Sequence, residues 1–260
     1  MNILVCVKRV PLTGGKIVLT DDARAISTRH LGFTISPHEE CGCEEAVRLI
    51  EHHGGASPVL TLGPPEAEEQ LRDMMAIGID RAVHLVTDAE EWDPQATAGA
   101  IVEAVRAERE PFHLLLFGNE SADAGNYQVA IRVAHALGVS CVTGVKAIAV
   151  QEDGSLRCEQ EVAGGRDVYI VATPAVVTVK EGLNLPRYPS VPGRLRAKRK
   201  PLTSSTPSRR QPRLEMVKLA LPPGSGKQAE ILGDGADAAG AVVGVLHELG
   251  LARQSASTSS

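Results

Sequence analysis

The stretch "PVLTLGPPEAEEQLRDMMAIGIDRAVHLV" (58–86) decides the fold that the sequence predicts. An apolar run at 58–63 is followed by a helical pattern that ends at Gly78, and a second apolar run follows at 81–86. Short apolar runs bounded by turn residues predict buried strands, and a strand, a helix and a strand predict a βαβ unit with a right-handed crossover. We therefore expect a parallel sheet that is covered by helices.

The same alternation continues in both directions along the chain. Buried strands are predicted at 3–7 and 112–118, and helices are predicted at 36–55, 94–108 and 127–138. Repeated βαβ units place helices on both faces of one open sheet. The predicted fold class is therefore α/β, with a doubly wound, mostly parallel, Rossmann-like sheet. Ligands of such sheets bind beyond the carboxyl ends of the strands.

The pattern changes after residue 140, where apolar and polar residues alternate. Turn signals at Asp153-Gly154 and at Gly164-Gly165 predict hairpins, so we expect an antiparallel extension of the sheet over this region, up to about residue 182. The segment 203–213 has the composition of a loop. The expected plan is a domain over 1–201, a C-terminal arm over 202–252 that ends in a helix, and a disordered tail over 253–260.

Composition excludes several classes of protein. The 260 residues are 43% hydrophobic but only 3% aromatic, so the core must be aliphatic, which suits a parallel sheet. A net charge of -5 and a pI near 5.9 argue against a general nucleic-acid-binding protein. The apolar run at the N-terminus is too short for a signal peptide, and no apolar run is long enough for a membrane span.

The five cysteines do not indicate a metal site or a disulfide framework. Their number is odd, and Cys41 and Cys43 are too close together for the usual zinc or redox spacings. We therefore expect a reduced, cytoplasmic protein without membrane insertion. The sequence also lacks GxSxG, HExxH and spaced metal-ligand motifs, so a binding protein is expected rather than an enzyme.

The run "GNESADAGNYQV" (118–129) is the strongest candidate for a ligand site. It follows a predicted strand and opens a predicted helix, and its small residues would let backbone N–H groups approach an anion. This arrangement suits a phosphate, although the run is neither a Walker A loop nor a GxGxxG motif. A plain strand-to-helix turn explains the run equally well on sequence grounds.

The run "PRYPSVPGRLRAKRKP" (186–201) combines rigidity with positive charge. It contains four prolines, and the residues from Arg194 to Lys200 include five cations. Prolines reduce the entropy that a loop loses on docking, and cations steer an acidic partner. A solvated basic arm is the alternative, whereas a nucleic-acid contact would require interleaved aromatic residues that are absent here.

The segment "PAVVTVKEGLNLPRYPSVPGRLRAKRKP" (174–201) resembles the signature of the electron transfer flavoprotein β subunit, or FixA, family. Three further motifs occur in the order that this family shows, namely "ILVCVKRV" (3–10), "CEEAVRL" (43–49) and "AIGIDRA" (76–82). The resemblance covers roughly residues 1 to 201.

The resemblance implies an adenine-nucleotide-binding α/β fold and a non-enzymatic electron carrier. It implies a heterodimer in which the α subunit holds most of the FAD site and packs against the C-terminal arm. The β subunit would hold AMP, or a second FAD if the protein is electron-bifurcating. Acyl-CoA-type or other flavin dehydrogenases would donate electrons, and a downstream quinone oxidoreductase would accept them. A stand-alone nucleotide sensor of the universal stress type is the alternative, but it would lack the 186–201 motif.

The resemblance also places the functional residues. The nucleotide site would comprise Cys6, Ser36, Pro37, His38, Glu39, Leu62, Gly118, Asn119, Glu120, Ser121, Ala122, Asp123, Ala124, Gly125, Asn126, Tyr127, Gln128 and Val129. The recognition loop would span 184–196, and the docking residues would be Arg187, Tyr188, Val191, Arg194, Arg196 and Arg199, with Val191 as the apolar anchor. Tyr127 and Val129 replace the asparagine and threonine of AMP-binding members, and valine is common in members with a second FAD. AMP and FAD therefore both remain open.

Overall fold

The computed structural model describes residues 1–12, 14, 17–88, 91–223 and 230–252. The chain divides into two compact units, Met1–Leu219 and Ala220–Ser260. The tail that the sequence predicts to be disordered, 253–260, lies outside the described residues.

A nine-stranded sheet forms the centre of the first unit, and two further strands form a separate short ribbon. The strands are β1 (Ile3–Val7), β2 (Val10–Pro11), β3 (Phe33–Thr34), β4 (Val59–Gly63), β5 (Ala82–Val86), β6 (Leu114–Gly118), β7 (Ser140–Val150), β8 (Leu156–Val162), β9 (Gly165–Val171), β10 (Ala175–Val179) and β11 (Leu202–Ser205). The helices of this unit are α1 (Pro37–His53), α2 (Glu68–Ile77), α3 (Pro94–Ala107), α4 (Val129–Leu137) and α5 (Val191–Ala197). A 3-10 turn at Pro65–Ala67 precedes α2.

The strand order confirms the predicted fold class. The sheet runs β11-β5-β4-β1-β6-β10-β7-β8-β9, and the seven strands from β11 to β7 are parallel. Strands β8 and β9 complete an antiparallel extension next to β7. The ribbon consists of β2 and β3.

The predicted assignment of β10 to the antiparallel extension is wrong. Strand β10 lies between β6 and β7 and is parallel to both. All five of its residues are buried, as expected for a strand that is covered on both faces of a parallel sheet. The alternating pattern of the preceding residues suggests the antiparallel assignment, although "AVVTV" is itself apolar except for Thr178.

Two further elements differ from the prediction. Residues 203–205, which were expected to be part of a loop, belong to β11, and this strand pairs in parallel with β5 at the edge of the sheet. The proline-rich run contains the short helix α5, which Ser190 caps by accepting a hydrogen bond from Gly193 N–H. Proline is tolerated in the first turn of a helix because its missing N–H has no partner there anyway.

Alternate residues of β1 reach the two faces of the sheet. Ile3 and Val5 belong to a core cluster that α1 and α2 cover, whereas Leu4 and Cys6 belong to a second cluster that α3 and α4 cover. Successive side chains of a strand point to opposite faces, so a strand buried on both faces requires two cores. The sheet is therefore doubly wound.

The second unit contains a 3-10 turn at Gly235–Ala238 and the helix α6 (Ala239–Glu248), which confirms the helix predicted within 236–252. Several apolar side chains of this unit are exposed, including Ile231, Val243 and Leu251. Among the helices in the described ranges, none is long and apolar enough to cross a membrane.

Candidate functional site

A cleft opens at the carboxyl ends of the parallel strands, where the sequence predicts a ligand. The segments that follow β1, β4, β5 and β6 line it, together with the first turns of α3 and α4. Its empty volume is about 1120 Å³ including the open mouth. Sites for cofactors and small molecules typically occupy about 300–1,000 Å³, so the cleft has room for a nucleotide.

The N-terminus of α1 closes one side of the cleft through a capping box. The Ser36 hydroxyl accepts a hydrogen bond from the Glu39 N–H, and Glu39 Oε2 accepts one from the Ser36 N–H at 3.1 Å. Glu39 Oε1 accepts a further hydrogen bond from the Lys8 N–H at 3.0 Å, which ties α1 to the end of β1. Burial raises the pKa of Glu39 to about 8, against the opposing effect of these backbone donors.

Gly118 lets the end of β6 approach this capping box. A Cβ atom at this position would lie 2.8 Å from Glu39 Cγ and 3.3 Å from His38 Cβ. A larger residue would therefore displace Glu39 and disturb the box. Close packing between a strand end and a helix start is one of the uses of glycine in nucleotide-binding sheets.

The loop 118–129 is held to its neighbours mainly through its first residues. The Asn119 N–H donates to the Val179 carbonyl oxygen at 2.9 Å, and Asn119 Oδ1 accepts a hydrogen bond from the Thr178 hydroxyl at 2.8 Å. Further along, Gly125 and Tyr127 both adopt a positive φ of 55°. For tyrosine this conformation is uncommon, and such residues cluster at functional sites.

Lys8 is a cleft residue that the sequence reasoning missed. Its Nζ lies 2.6 Å from Glu91 Oε1 and 2.8 Å from Asp123 Oδ2, so it links the segment before α3 to the loop after β6. Burial lowers the pKa of Lys8, but the two carboxylates outweigh burial and raise it overall. The pKa of Asp123 is lowered because Lys8 outweighs the burial of that carboxyl group. The cation directly after a strand end in "VCVKRV" was the available signal.

The wall opposite loop 118–129 was also missed. Trp92, the single tryptophan of the chain, lines the cleft and is 7% exposed. Thr97 and Ile101 of α3 continue this wall. The predicted site includes Cys6, Leu62 and Gly118 near the ends of β1, β4 and β6, but no residue after β5, which leads into this wall. Arg9 also lines the cleft, and its guanidinium carbon lies 3.3 Å from the centre of the Phe33 ring.

These residues fit an adenine nucleotide. Apolar side chains such as Leu62, Trp92 and Ile101 offer a surface for an aromatic base. The helix α4 begins at Val129 without a side-chain cap and without acidic residues in its first turn, so its N–H groups are available to an anion. The cleft also contains the carboxylates Asp88 and Glu120, which disfavour a phosphate near them. The phosphate would therefore depend on backbone donors at 126–130, because the Gly125 N–H already donates to the Ser121 carbonyl oxygen.

Eleven of the predicted nucleotide residues line the cleft: Cys6, Glu39, Leu62, Gly118, Asn119, Glu120, Ser121, Asn126, Tyr127, Gln128 and Val129. Burial, followed by the charge of Glu39, raises the pKa of the Cys6 thiol, so this cysteine stays protonated and is no nucleophile. Within the described residues, no group of three or more His, Cys, Asp or Glu side chains could hold a metal ion.

The other predicted nucleotide residues lie next to the cleft rather than on its lining. Ser36 is fully buried as the cap of α1, and Pro37 is the first residue of that helix. His38 Nδ1 accepts a hydrogen bond from the Glu181 N–H at 2.8 Å, and His38 Nε2 lies 3.5 Å from Glu120 Oε1. The remaining members are Ala122, Asp123, Ala124 and Gly125. Their contact with a nucleotide remains a prediction.

The recognition loop, 184–196, is fastened to α1 by Arg187. The Arg187 guanidinium donates hydrogen bonds to both carboxylate oxygens of Glu44, at 2.9–3.2 Å, and to both carboxylate oxygens of Glu51, at 2.7 and 2.9 Å. Hydrogen bonds to Glu51, and then to Glu44, raise the pKa of Arg187 above its ordinary value. Asn184 adds a hydrogen bond from its Nδ2 to Glu45 Oε2 at 2.9 Å. Arg187 therefore fixes the loop to α1.

The rest of the loop presents apolar side chains to solvent. Tyr188 is 96% exposed, Leu185 is 91% exposed and Val191 is 73% exposed. Of the predicted cationic docking residues, Arg194 pairs with Asp73 at 2.9 Å, and Arg196 and Arg199 are exposed. Lys200 instead donates to the Met75, Gly78 and Ile79 carbonyl oxygens at the end of α2. The loop thus combines a fixed base with an exposed apolar tip.

The fold and the cleft define a doubly wound α/β protein with a nucleotide-sized cleft at the carboxyl ends of its strands and an exposed loop that is fastened to α1. Comparison with known proteins gives the family. A family model described as "Electron transfer flavoprotein domain" matches residues 25–209. The chain belongs to the electron transfer flavoprotein family.

Curated relatives match most of the chain. A protein of Bacillus subtilis named "Electron transfer flavoprotein subunit beta" is 32% identical over 255 residues, which cover 95% of this chain and 97% of the relative. A protein of the same name from Syntrophomonas wolfei is 33% identical over 225 residues, or 86% of each chain. Another from Thermoanaerobacterium thermosaccharolyticum is 33% identical over 195 residues, or 74% of this chain and 73% of the relative.

Proposed function

We propose that this chain is the β subunit of a heterodimeric electron transfer flavoprotein and works as an electron carrier subunit rather than as a catalyst of its own. The observation that carries this function is the match to β subunits over almost the whole chain. The arrangement of the molecule supports it, because a nucleotide-sized cleft and an exposed loop occur in one unit.

The cleft is proposed to bind an adenine nucleotide. Loop 118–129 and the start of α4 would hold the phosphate through backbone N–H groups, and the Trp92 wall would contact the base. AMP is one candidate, and the adenine end of a second FAD is the other. Val129 stands where valine is common in members with a second FAD, so it favours the FAD alternative, which would accompany electron bifurcation.

The recognition loop is proposed to dock the electron donor, an acyl-CoA-type or other flavin dehydrogenase. Tyr188 and Val191 would supply apolar anchors, because residues at the centre of an interface contribute most of its binding energy. The cations Arg194, Arg196 and Arg199 would steer an acidic partner. A downstream quinone oxidoreductase is the proposed acceptor.

The α subunit is proposed to hold FAD and to pack against the arm over 202–252. Exposed apolar side chains within 220–252, such as Ile231 and Val243, support an arm that is covered by a partner. A cytoplasmic location belongs to the same proposal.

The test is purification of the full chain with its partners from the native source, followed by extraction of bound nucleotides. We expect a flavoprotein partner, with either one flavin and one AMP per heterodimer or two flavins and no AMP. The second result would favour the bifurcating alternative. A homo-oligomer that binds ATP and has no flavoprotein partner would overturn the proposal in favour of a stress-type sensor.

A further inference from the structure

The segment 206–219, which we call the strap, follows β11 and still belongs to the first unit. The sequence predicts a loop only up to residue 213, yet side-chain and backbone contacts hold the strap against the start of α3 and the residues before it. These are the same residues that form the Trp92 wall of the cleft.

Asp93 is the centre of these contacts. Its Oδ1 accepts a hydrogen bond from the Ala96 N–H at 2.7 Å, which caps α3. Its Oδ2 accepts hydrogen bonds from the Arg213 and Leu214 N–H groups, at 2.7 and 3.1 Å. One carboxylate therefore joins the strap to the helix that lines the cleft. Burial raises the pKa of Asp93, but the three N–H donors outweigh it and lower the pKa overall.

Two arginines of the strap contact residues that precede and follow Asp93 in the sequence. The Arg209 guanidinium lies 5.7 Å from the centre of the Trp92 ring and donates to the Glu91 carbonyl oxygen at 3.2 Å. Arg210 pairs with Glu103 at 2.6 Å. A Cβ atom at Gly99 would lie 3.2 Å from Arg210 Nε, so the glycine lets the arginine lie close against α3.

The cleft side of the same segment carries the residues that would touch a ligand. Glu91, Trp92, Pro94 and Thr97 line the cleft, and Asp93 stands between them in the chain. Glu91 also pairs with Lys8, which in turn pairs with Asp123 of loop 118–129. The strap contacts therefore continue, through Glu91 and Lys8, to the opposite side of the cleft.

We infer that Asp93 is a positioning residue, and that the strap acts through it to hold the Trp92 wall of the nucleotide cleft in its binding geometry. A wall that is fixed in advance loses less conformational entropy on binding. The inference rests on the proposed nucleotide site, but its structural half can be measured without a nucleotide.

Asp93→Asn separates the two roles of Asp93 in the full-length chain. Asparagine is as good an N-cap as aspartate, so its Oδ1 can still accept from Ala96. Its NH₂ group cannot accept hydrogen bonds from Arg213 and Leu214. Asp153→Asn is the matched control, because Asp153 Oδ1 accepts a hydrogen bond from the Ser155 N–H in a hairpin turn outside the cleft.

Binding of AMP and of FAD is measured by titration calorimetry with each variant. We expect Asp93→Asn to weaken whichever of the two binds by about three- to tenfold, as expected for lost hydrogen bonds, while Asp153→Asn matches the parent. Because the chain has one tryptophan, acrylamide quenching of its fluorescence reports the wall directly. Quenching should increase in Asp93→Asn and remain unchanged in the control.

Hydrogen exchange supplies the readout that a simple loss of stability would not reproduce. Exchange should accelerate in 91–97 and 206–219 of Asp93→Asn, while the sheet keeps its protection. If the parent binds neither AMP nor FAD, the proposed nucleotide function fails, and quenching and exchange still decide the inference. Unchanged quenching and exchange in Asp93→Asn would overturn it, and so would unchanged affinity in a parent that binds.

Discussion

Loop 118–129 and the recognition loop, 184–196, differ in what their residues face. Residues of the first loop line the cleft, whereas apolar residues of the second are exposed to solvent. They follow β6 and β10, which are adjacent parallel strands, so both start at the same edge of the sheet. The first loop lines a cleft through its two ends, 118–121 and 126–129. The second is fastened to α1 through Arg187 and exposes Tyr188 almost completely.

The difference follows from the side-chain chemistry of two loops on one scaffold. Small residues expose backbone donors to a ligand, whereas prolines and an ion pair stiffen a loop whose apolar tip remains in solvent. Helix α1 serves both loops, because Glu39 lies at the cleft and Glu44 holds Arg187. Substitutions at the cleft and at the Arg187 ion pair test whether loop 118–129 and the recognition loop are independent of each other.

Among substitutions compared at one pH, removal of the Arg187 cation that fastens the recognition loop should have the largest effect. Arg187→Met keeps an apolar stem but leaves Glu44, whose side chain is 6% exposed, without its cation. We expect unfolding free energy to fall by about 2–3 kcal/mol, less than the 3–5 kcal/mol for a fully buried pair, because Arg187 is partly exposed. Urea unfolding measures it.

The matched control for that change is Glu51→Gln. Glu51 is 58% exposed, so its loss should cost at most about 1 kcal/mol. Nucleotide content should stay at the parent value in both variants if the two loops are independent. Equal destabilisation by both variants would show that Glu44 is not the decisive partner of Arg187.

The second-largest effect should come from adding a side chain at Gly118, where β6 lies close to Glu39. Gly118→Ala places a methyl group 2.8 Å from Glu39 Cγ, which should destabilise the chain by about 1–3 kcal/mol and reduce bound nucleotide. Gly165→Ala is the control, because a Cβ atom there meets nothing within 4 Å. Extraction and chromatography measure the nucleotide. Parent-like content in Gly118→Ala would argue against a nucleotide at this strand end.

A pH series tests the buried carboxyl of the cleft. The pKa of Glu39 is raised from an ordinary 4.5 to about 8, so the folded chain holds a proton that the unfolded chain releases. The contribution of Glu39 to the free energy of unfolding is therefore fully present below about pH 4.5 and is lost as the pH rises towards 8. The slope is at most about 1.4 kcal/mol per pH unit.

Glu39→Gln should remove that slope because glutamine does not titrate. Its single amide oxygen can keep the capping-box bond from the Ser36 N–H but not also the bond from the Lys8 N–H, so a loss of stability that does not depend on pH is expected as well. Urea unfolding of parent and variant across this pH range measures the difference. Parallel stability curves for the two proteins would mean that Glu39 is ionised throughout and that the backbone donors outweigh its burial.

The smallest effect is expected at the tip of the recognition loop. Val191→Ala removes exposed apolar surface, so docking of the donor dehydrogenase should weaken by about 1 kcal/mol, mainly through faster dissociation. Stopped-flow flavin reduction of the heterodimer at limiting donor measures it. Val168→Ala, an exposed valine of β9, is the control. Identical rates for both variants would remove Val191 from the docking surface.

Much of the fold follows from local sequence patterns. Strand β1, helix α1 with its Ser36 cap, and the βαβ unit at 58–86 could be predicted because each is specified by neighbouring residues. Loop 118–129 was recognisable as a candidate for the same reason, since small residues between a strand and a helix are a local signal. The family resemblance depended on the order of such motifs along the chain.

Contacts between distant residues required the tertiary structure. The pairing of Lys8 with Asp123, the bond between Arg187 and Glu44, and the strap on Asp93 each join residues far apart in sequence. Whether a charge forms an ion pair or stays solvated depends on which partner the fold brings within a few ångströms, and hydrophobic periodicity carries no information about that. The sequence by itself therefore determined the doubly wound sheet and the edge at which the cleft opens. The tertiary structure alone decided that Arg187 is a tether, that Lys8 spans the cleft and that β10 lies at the centre of the sheet.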